Sequence, residues 1–201
     1  MPGANAATVF PPASRAVEVS GWRGCSFPRH LFFYVTDMNA SKAEFWLCLA
    51  HAFLTPRTAS AQQALRIALA DDLEELAATL GYPIGPELAD YRQAIAAVPA
   101  DEGLLVLYSK LFLVPGTAHP HINAAVYLDG TVHGGTLRQL TECYRACGLD
   151  KRDSFADLPD HVATQLEFTA WLFAAAAARD AGERAAAAAN SQAVNSSCVA
   201  T

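Results

Sequence analysis

Charge is scarce in this sequence. Lys, Arg, Asp and Glu make up 17% of its 201 residues, and 14 basic residues face 20 acidic ones, for a net charge of −6. Such a chain lacks the clustered Lys and Arg needed to neutralise phosphates, which argues against nucleic acid as a partner. Long apolar runs are missing too. None reaches the length of a membrane span. The longest near the N-terminus, Leu31-Phe-Phe-Tyr-Val35, is shorter than the apolar core of a secretory leader. The five cysteines, Cys25, Cys48, Cys143, Cys147 and Cys198, are odd in number and irregular in spacing, which does not read as a disulfide framework. Reduced thiols and a cytoplasmic location are therefore the expectation. Strand-like alternation is confined to Val126-Tyr-Leu128. There is no P-loop pattern, no H-E-x-x-H, and no nucleophile elbow around Ser109.

Apolar residues are plentiful at 52%, enough to build a sizeable core and to exclude disorder throughout. Their spacing is helical from Met38 onward. Ser41-Lys-Ala-Glu44 reads as a capping box ahead of Phe45, Trp46, Leu49 and Phe53, and Thr55-Pro56 closes that helix. Ser60-Ala-Gln-Gln63 reads as a second box, followed by the stripe Leu65, Leu69, Leu73, Leu76, Leu80 and a stop at Gly81. Pro86 opens a third helix that Pro99 ends, and Asp101 caps a fourth bearing Leu104, Tyr108, Leu111 and Phe112. Thr136-Leu-Arg-Gln139 caps a fifth, stopped by Gly148, and a sixth begins near Pro159.

The pattern predicts an all-α helical bundle in two parts, 38–114 and 136–178, joined by a long connecting loop over 115–135. Residues 1–37, rich in proline, read as an extension or disordered segment. Residues 179–201 read as an alanine-rich and disordered tail: Ala174–Ala178 and Ala185–Ala189 can extend a helix by propensity alone but offer nothing large to bury, and Asn190–Thr201 reads as polar and disordered.

Four groups of residues carry possible chemistry. His119, His121 and His133 with Asp129 offer imidazole and carboxylate ligands in one loop, the basis for a metal-dependent enzyme as the alternative reading. Surface histidines beside Pro120 are the competing explanation. Cys143 and Cys147 share a helix face but lack C-x-x-C spacing, so they read as small core residues. Asp160 and His161 are adjacent and point apart, which suits helix capping better than a catalytic dyad. Tyr108, Phe112, Tyr127, Phe168 and Trp171 form either core or groove. Phe168 and Trp171 fall off the stripe Val162, Leu166, Thr169, Phe173, so their helix has two apolar faces.

Six short motifs occur in a telling order: Tyr108-Ser-Lys-Leu-Phe112, Val114-Pro-Gly116, Ala125-Val-Tyr-Leu-Asp-Gly130, Tyr144 with Gly148-Leu149, Leu158-Pro-Asp-His161, and Gln165-Leu-Glu-Phe168. With the helix Phe45–Pro56, they resemble the TorD/DmsD/NarJ family of molybdoenzyme maturation chaperones over residues 38–175. The resemblance implies a cytoplasmic chaperone, not an enzyme. It implies binding to the twin-arginine signal peptide, or the apo form, of a molybdenum-cofactor oxidoreductase before export. No cofactor is implied. By position, Tyr108, Leu111, Phe112 and Pro115 match the family's Y-x-x-L-F…P element, Tyr127 and Asp129 its loop element, and Pro159, Asp160, His161 and Glu167 its P-D-H…L-E element. A basic peptide with an apolar stretch calls for acidic groups near an apolar groove. Asp157, Asp160 and Glu167 beside Phe168 and Trp171 are the candidates, and fastening the loop to the sixth helix is the competing role for Asp160 and His161. The alanine-rich end departs from the family pattern, which raises the expectation of homodimerisation or element exchange to cover exposed apolar faces.

Overall fold

The computed structural model describes residues 22–23, 38–99, 103–113, 120–151 and 157–198, with the backbone alone for 22–23, 151 and 184–198. Among the described residues, eight helices make up the fold: α1 Met38–Ala52, α2 Ala59–Gln63, α3 Leu69–Leu80, α4 Gly85–Ala97, α5 Leu104–Phe112, α6 Ala124–Asp129, α7 Gly135–Ala146 and α8 Val162–Cys198. The only strand ladder among the described residues is two residues long, β1 Trp22–Arg23 antiparallel to β2 Asp150–Lys151. The fold is all-α.

Most helix ends follow from local chemistry, some of it displaced from where the sequence pattern put it. Ser41 lies inside α1, not at its cap. Thr58, not Ser60, caps α2: its Oγ1 accepts from Ala61 N at 3.1 Å. Between α2 and α3 the chain makes one π-helical turn, Ala64–Ala68. The wider turn leaves Leu65 O available, and Tyr91 of α4 donates its hydroxyl to it at 2.6 Å. Arg66 reaches across to Val98 O and Pro99 O and closes the far end of α4. Gly81 and Gly148 adopt positive φ, which lets the chain leave α3 and α7 in the left-handed conformation that a Cβ disfavours.

The main core gathers Phe45, Leu69, Ala70, Leu73, Ala77, Leu80 and Leu88, with Trp46, Leu49, Tyr82 and Tyr91 packed around them. Phe45 meets Tyr82 edge-on at 5.2 Å between ring centroids. Cys48 packs here as a small apolar group, its thiol pushed up to about 12 by burial and by Asp72, so no thiolate forms near neutrality. A smaller cluster joins α7 to α8 through Tyr144, Leu149, Leu140, Cys147, Phe168 and Trp171.

Two expectations about organisation are corrected. The segment 115–135 is not an unbroken loop: α6 lies within it, and the strand-like Val126–Leu128 is helical. Three residues are too few to distinguish a strand from one helical turn. At the C-terminus, α8 does not stop near residue 178 but runs on to Cys198, through the segment expected to be disordered. Four of its alanines are buried. Ala163, Ala170, Ala174 and Ala177 fall on one stripe and are 4% exposed or less. α8 packs chiefly on α1. The two run antiparallel, with Asn39 Nδ2 donating to Asp180 Oδ2 at 3.1 Å and Lys42 Nζ lying 5.4 Å from the Phe173 ring centre. Small residues permit close approach of two helix backbones, with Ala43 and Ala50 buried on the α1 side. The alanine stripe thus finds its partner within the chain, whereas sequence reading saw only the absence of large side chains.

A candidate client surface held by a buried clip

The site is built where α8 begins. Asp160 is 0% exposed and His161 1%. Asp160 Oδ1 accepts from Asn123 Nδ2 and its Oδ2 accepts from Ala125 N, both at 2.9 Å. Asn123 occupies the N-cap position of α6 but its own side chain makes no cap bond. Asp160 supplies the cap instead, from 35 residues further along the chain. An antiparallel bridge pairs Asn123 with His161, through Ala124 N to Asp160 O at 3.1 Å and Val162 N to Ile122 O at 2.7 Å. Gln165 Nε2 donates to Asp160 O at 2.7 Å, and Tyr144 of α7 donates its hydroxyl to Pro159 O at 3.0 Å. Burial, reinforced by Asp160 and Cys143, holds that phenol far above its ordinary range, so it stays protonated as a donor.

His161 serves α8 in turn: its Nδ1 accepts from Ala163 N at 3.1 Å, which requires the proton on Nε2 in the neutral ring. Burial pushes its pKa down, against the opposing pull of Asp157 and Asp160. Asp157 also acts on Tyr108, whose pKa is raised mainly by burial. The fold therefore brings the Tyr108 helix and the Leu158–His161 turn into one neighbourhood. Tyr108 itself is buried, donates its hydroxyl to Phe53 O at 3.1 Å and packs on Phe112 at 5.0 Å between centroids.

Other expected site residues are dispersed by role. Glu167 is 1% exposed and lies on the alanine stripe of α8. Phe168 and Trp171 stack on each other, with Phe168 against Tyr144. Asp129 caps α7, where the pattern pointed to Thr136: its Oδ2 accepts from Thr136 N at 2.8 Å. Tyr127 ties the chain before α6, donating to His121 O and accepting from His121 N at 3.1 and 2.7 Å. Pro115 and His119 lie outside the described residues.

Apolar groups stand exposed on both sides of residues 114–119. Leu105, Val106, Leu111 and Leu113 do so at α5, and Tyr127 and Leu128 at α6, the last at 72%. Sequence reading picked Leu111 and Tyr127 but missed Leu128 and Leu113, because a large apolar residue is core by default. It also missed Asn123. Its only signal is an N-cap residue type at the start of a helix that was read as loop.

His121 and His133 are exposed and Asp129 is engaged in capping. Among the described residues, no three His, Cys, Asp or Glu side chains gather to hold a metal. Ser109 Oγ donates to Leu105 O within α5, as helical serines commonly do. No described helix is long and apolar enough to cross a membrane.

The chain belongs to the nitrate reductase delta subunit family, whose model matches residues 60–196, a family of NarJ/TorD-like chaperones. A crystal structure of a candidate redox enzyme maturation protein from Archaeoglobus fulgidus is similar at 21% identity, covering 70% of this chain and 74% of that one, with a TM-score of 0.42. No curated protein matches the chain.

Proposed function

We propose that the chain is a cytoplasmic maturation chaperone. It binds the twin-arginine signal peptide, or the apo form, of a molybdenum-cofactor oxidoreductase and holds it until the cofactor is in place. The observation that carries this is the exposed apolar set Leu111, Leu113, Tyr127 and Leu128 flanking residues 114–119, in a chain of this family. Apolar side chains displayed beside a fixed scaffold suit the apolar stretch of a signal peptide. The net charge of −6 suits its arginine pair. Within this reading Leu111, Phe112, Pro115, Tyr127 and Trp171 are contact residues. Tyr108, Asp129, Asp160, His161 and Glu167, which are buried or engaged in internal hydrogen bonds, hold the surface in shape.

Isothermal titration with synthetic twin-arginine signal peptides of molybdoenzymes tests the proposal. Binding is expected, without turnover. Leu128→Glu should weaken it about tenfold or more, as loss of a central apolar contact does, while the thermal melt stays unchanged. The reading is overturned if no such peptide binds and no apo-enzyme co-purifies on co-expression.

A further inference from the structure

We infer that Asn123 is a positioning residue: with Asp160 it forms a clip that fixes α6 on the start of α8 and so sets where Tyr127 and Leu128 are displayed. For the use of that surface, the inference rests on the function proposed above. For the clip itself, it stands on geometry alone.

α6 has six residues, too few to be stable by its own hydrogen bonds. Its burial is slight. Ala125 alone is fully covered, while Tyr127 and Leu128 face outward. What ties it to the start of α8 are two side-chain bonds from the Asp160 carboxylate and two backbone bonds of the bridge to His161. Asn123 is the pivot of this arrangement. The amide presents Nδ2, its donor, to the accepting Oδ1. That contact leaves Oδ2 aimed at Ala125 N. An asparagine at an N-cap position would ordinarily cap its own helix. Here it gives up that role and orients a cap borrowed from the far side of the loop. At the other end of α6, Asp129 holds Thr136 N, so a shift at Asn123 is carried through to α7.

The proposal makes the polarity of the pair decisive. Asn123→Asp sets two carboxylates against each other and breaks the clip. The exchanged pair, Asn123→Asp with Asp160→Asn, restores it. The amide nitrogen introduced at position 160 would donate to the carboxylate introduced at position 123, and the amide oxygen at position 160 would still accept from Ala125 N.

Hydrogen–deuterium exchange of the full chain reads the clip directly. Asn123→Asp is expected to speed exchange of residues 120–134 about tenfold or more, a local opening, with α1 and α3 unchanged, and the exchanged pair to return it to the original rate. Should the single change unfold the protein, Asn123→Ser, which keeps a cap-forming residue but cannot span to Asp160, takes its place. Unchanged exchange in the single variant, or no recovery in the pair, overturns the clip. A fluorescein-labelled peptide with an arginine pair and an apolar stretch then reads its use. Affinity should fall in Asn123→Asp and recover in the pair. Equal affinity in all three removes Asn123 as a positioning residue. A peptide that fails to bind even the unaltered protein removes the proposed function, while exchange still decides the clip.

Discussion

Asp129 Oδ2 accepts a hydrogen bond from Thr136 N at 2.8 Å, so the last residue of α6 caps the first turn of α7. Between them Gly134 lies so close that a Cβ there would collide with the Asp129 carboxylate. Asp129→Ala should cost about 1 kcal/mol, the usual worth of a cap. Gly134→Ala should cost a similar amount by displacing the same carboxylate. Because both act through one contact, the double variant should lose clearly less than the sum, measured by urea unfolding.

Tyr108 ties the end of α1 to α5 through its hydroxyl on Phe53 O. Removing that hydroxyl with Tyr108→Phe should lower stability by about 1 kcal/mol, the net value of one hydrogen bond plus the cost of a carbonyl left short of a donor. Tyr108→Ala should cost about 3–5 kcal/mol, since it also empties a ring-sized volume against Phe112. Chemical denaturation separates the two.

The alanine stripe of α8 makes a position-specific prediction. Ala177 is 0% exposed, whereas Ala178 faces solvent. Ala177→Leu should destabilise by about 1–3 kcal/mol through overpacking. Ala178→Leu should stay within about 0.5 kcal/mol. Equal midpoints for the two in urea would show that α8 does not pack along this stripe.

Acid should weaken the fold through His51 and His161. Burial depresses the pKa of both below the ordinary value of 6.5. Their neutral forms favour the folded state, so this contribution is complete above about pH 6.5 and is lost as pH falls toward the folded pKa values. Glu44 works in the opposite sense. Its pKa is raised, by burial first and Glu75 second, so its carboxylate is a strain that protonation relieves at lower pH. The urea midpoint should therefore fall between about pH 7.5 and 5.5, and fall less in His51→Gln.

Helix existence was legible wherever large apolar residues repeat, as in Leu69–Leu80 with its Gly81 stop, or Tyr144 with Gly148. Those signals are local: side-chain period and backbone chirality act within a few residues. The caps were less legible. Ser60 and Thr136 have the right residue types, but Thr58 and Asp129 do the capping, because competing oxygens a few residues apart are chosen by chain direction. Asp160 was recognised as important, yet its direct role lies toward Ala125, and the Asn123 that orients it carried no recognisable motif.

The sequence by itself determined an all-α protein of the maturation chaperone kind. Helical periodicity and the order of short motifs are properties of the chain alone. Only the tertiary structure decided which polar groups are buried and which apolar groups are displayed. Asp160 and His161 read equally well as peptide-binding groups or as fastenings of the loop until the fold buried them, and the exposure of Leu128 had no signal in the sequence. The alanines after Phe173 carried no apolar signal of their own. Their value depends on the nearness of another helix, and that nearness exists only once α1 lies alongside.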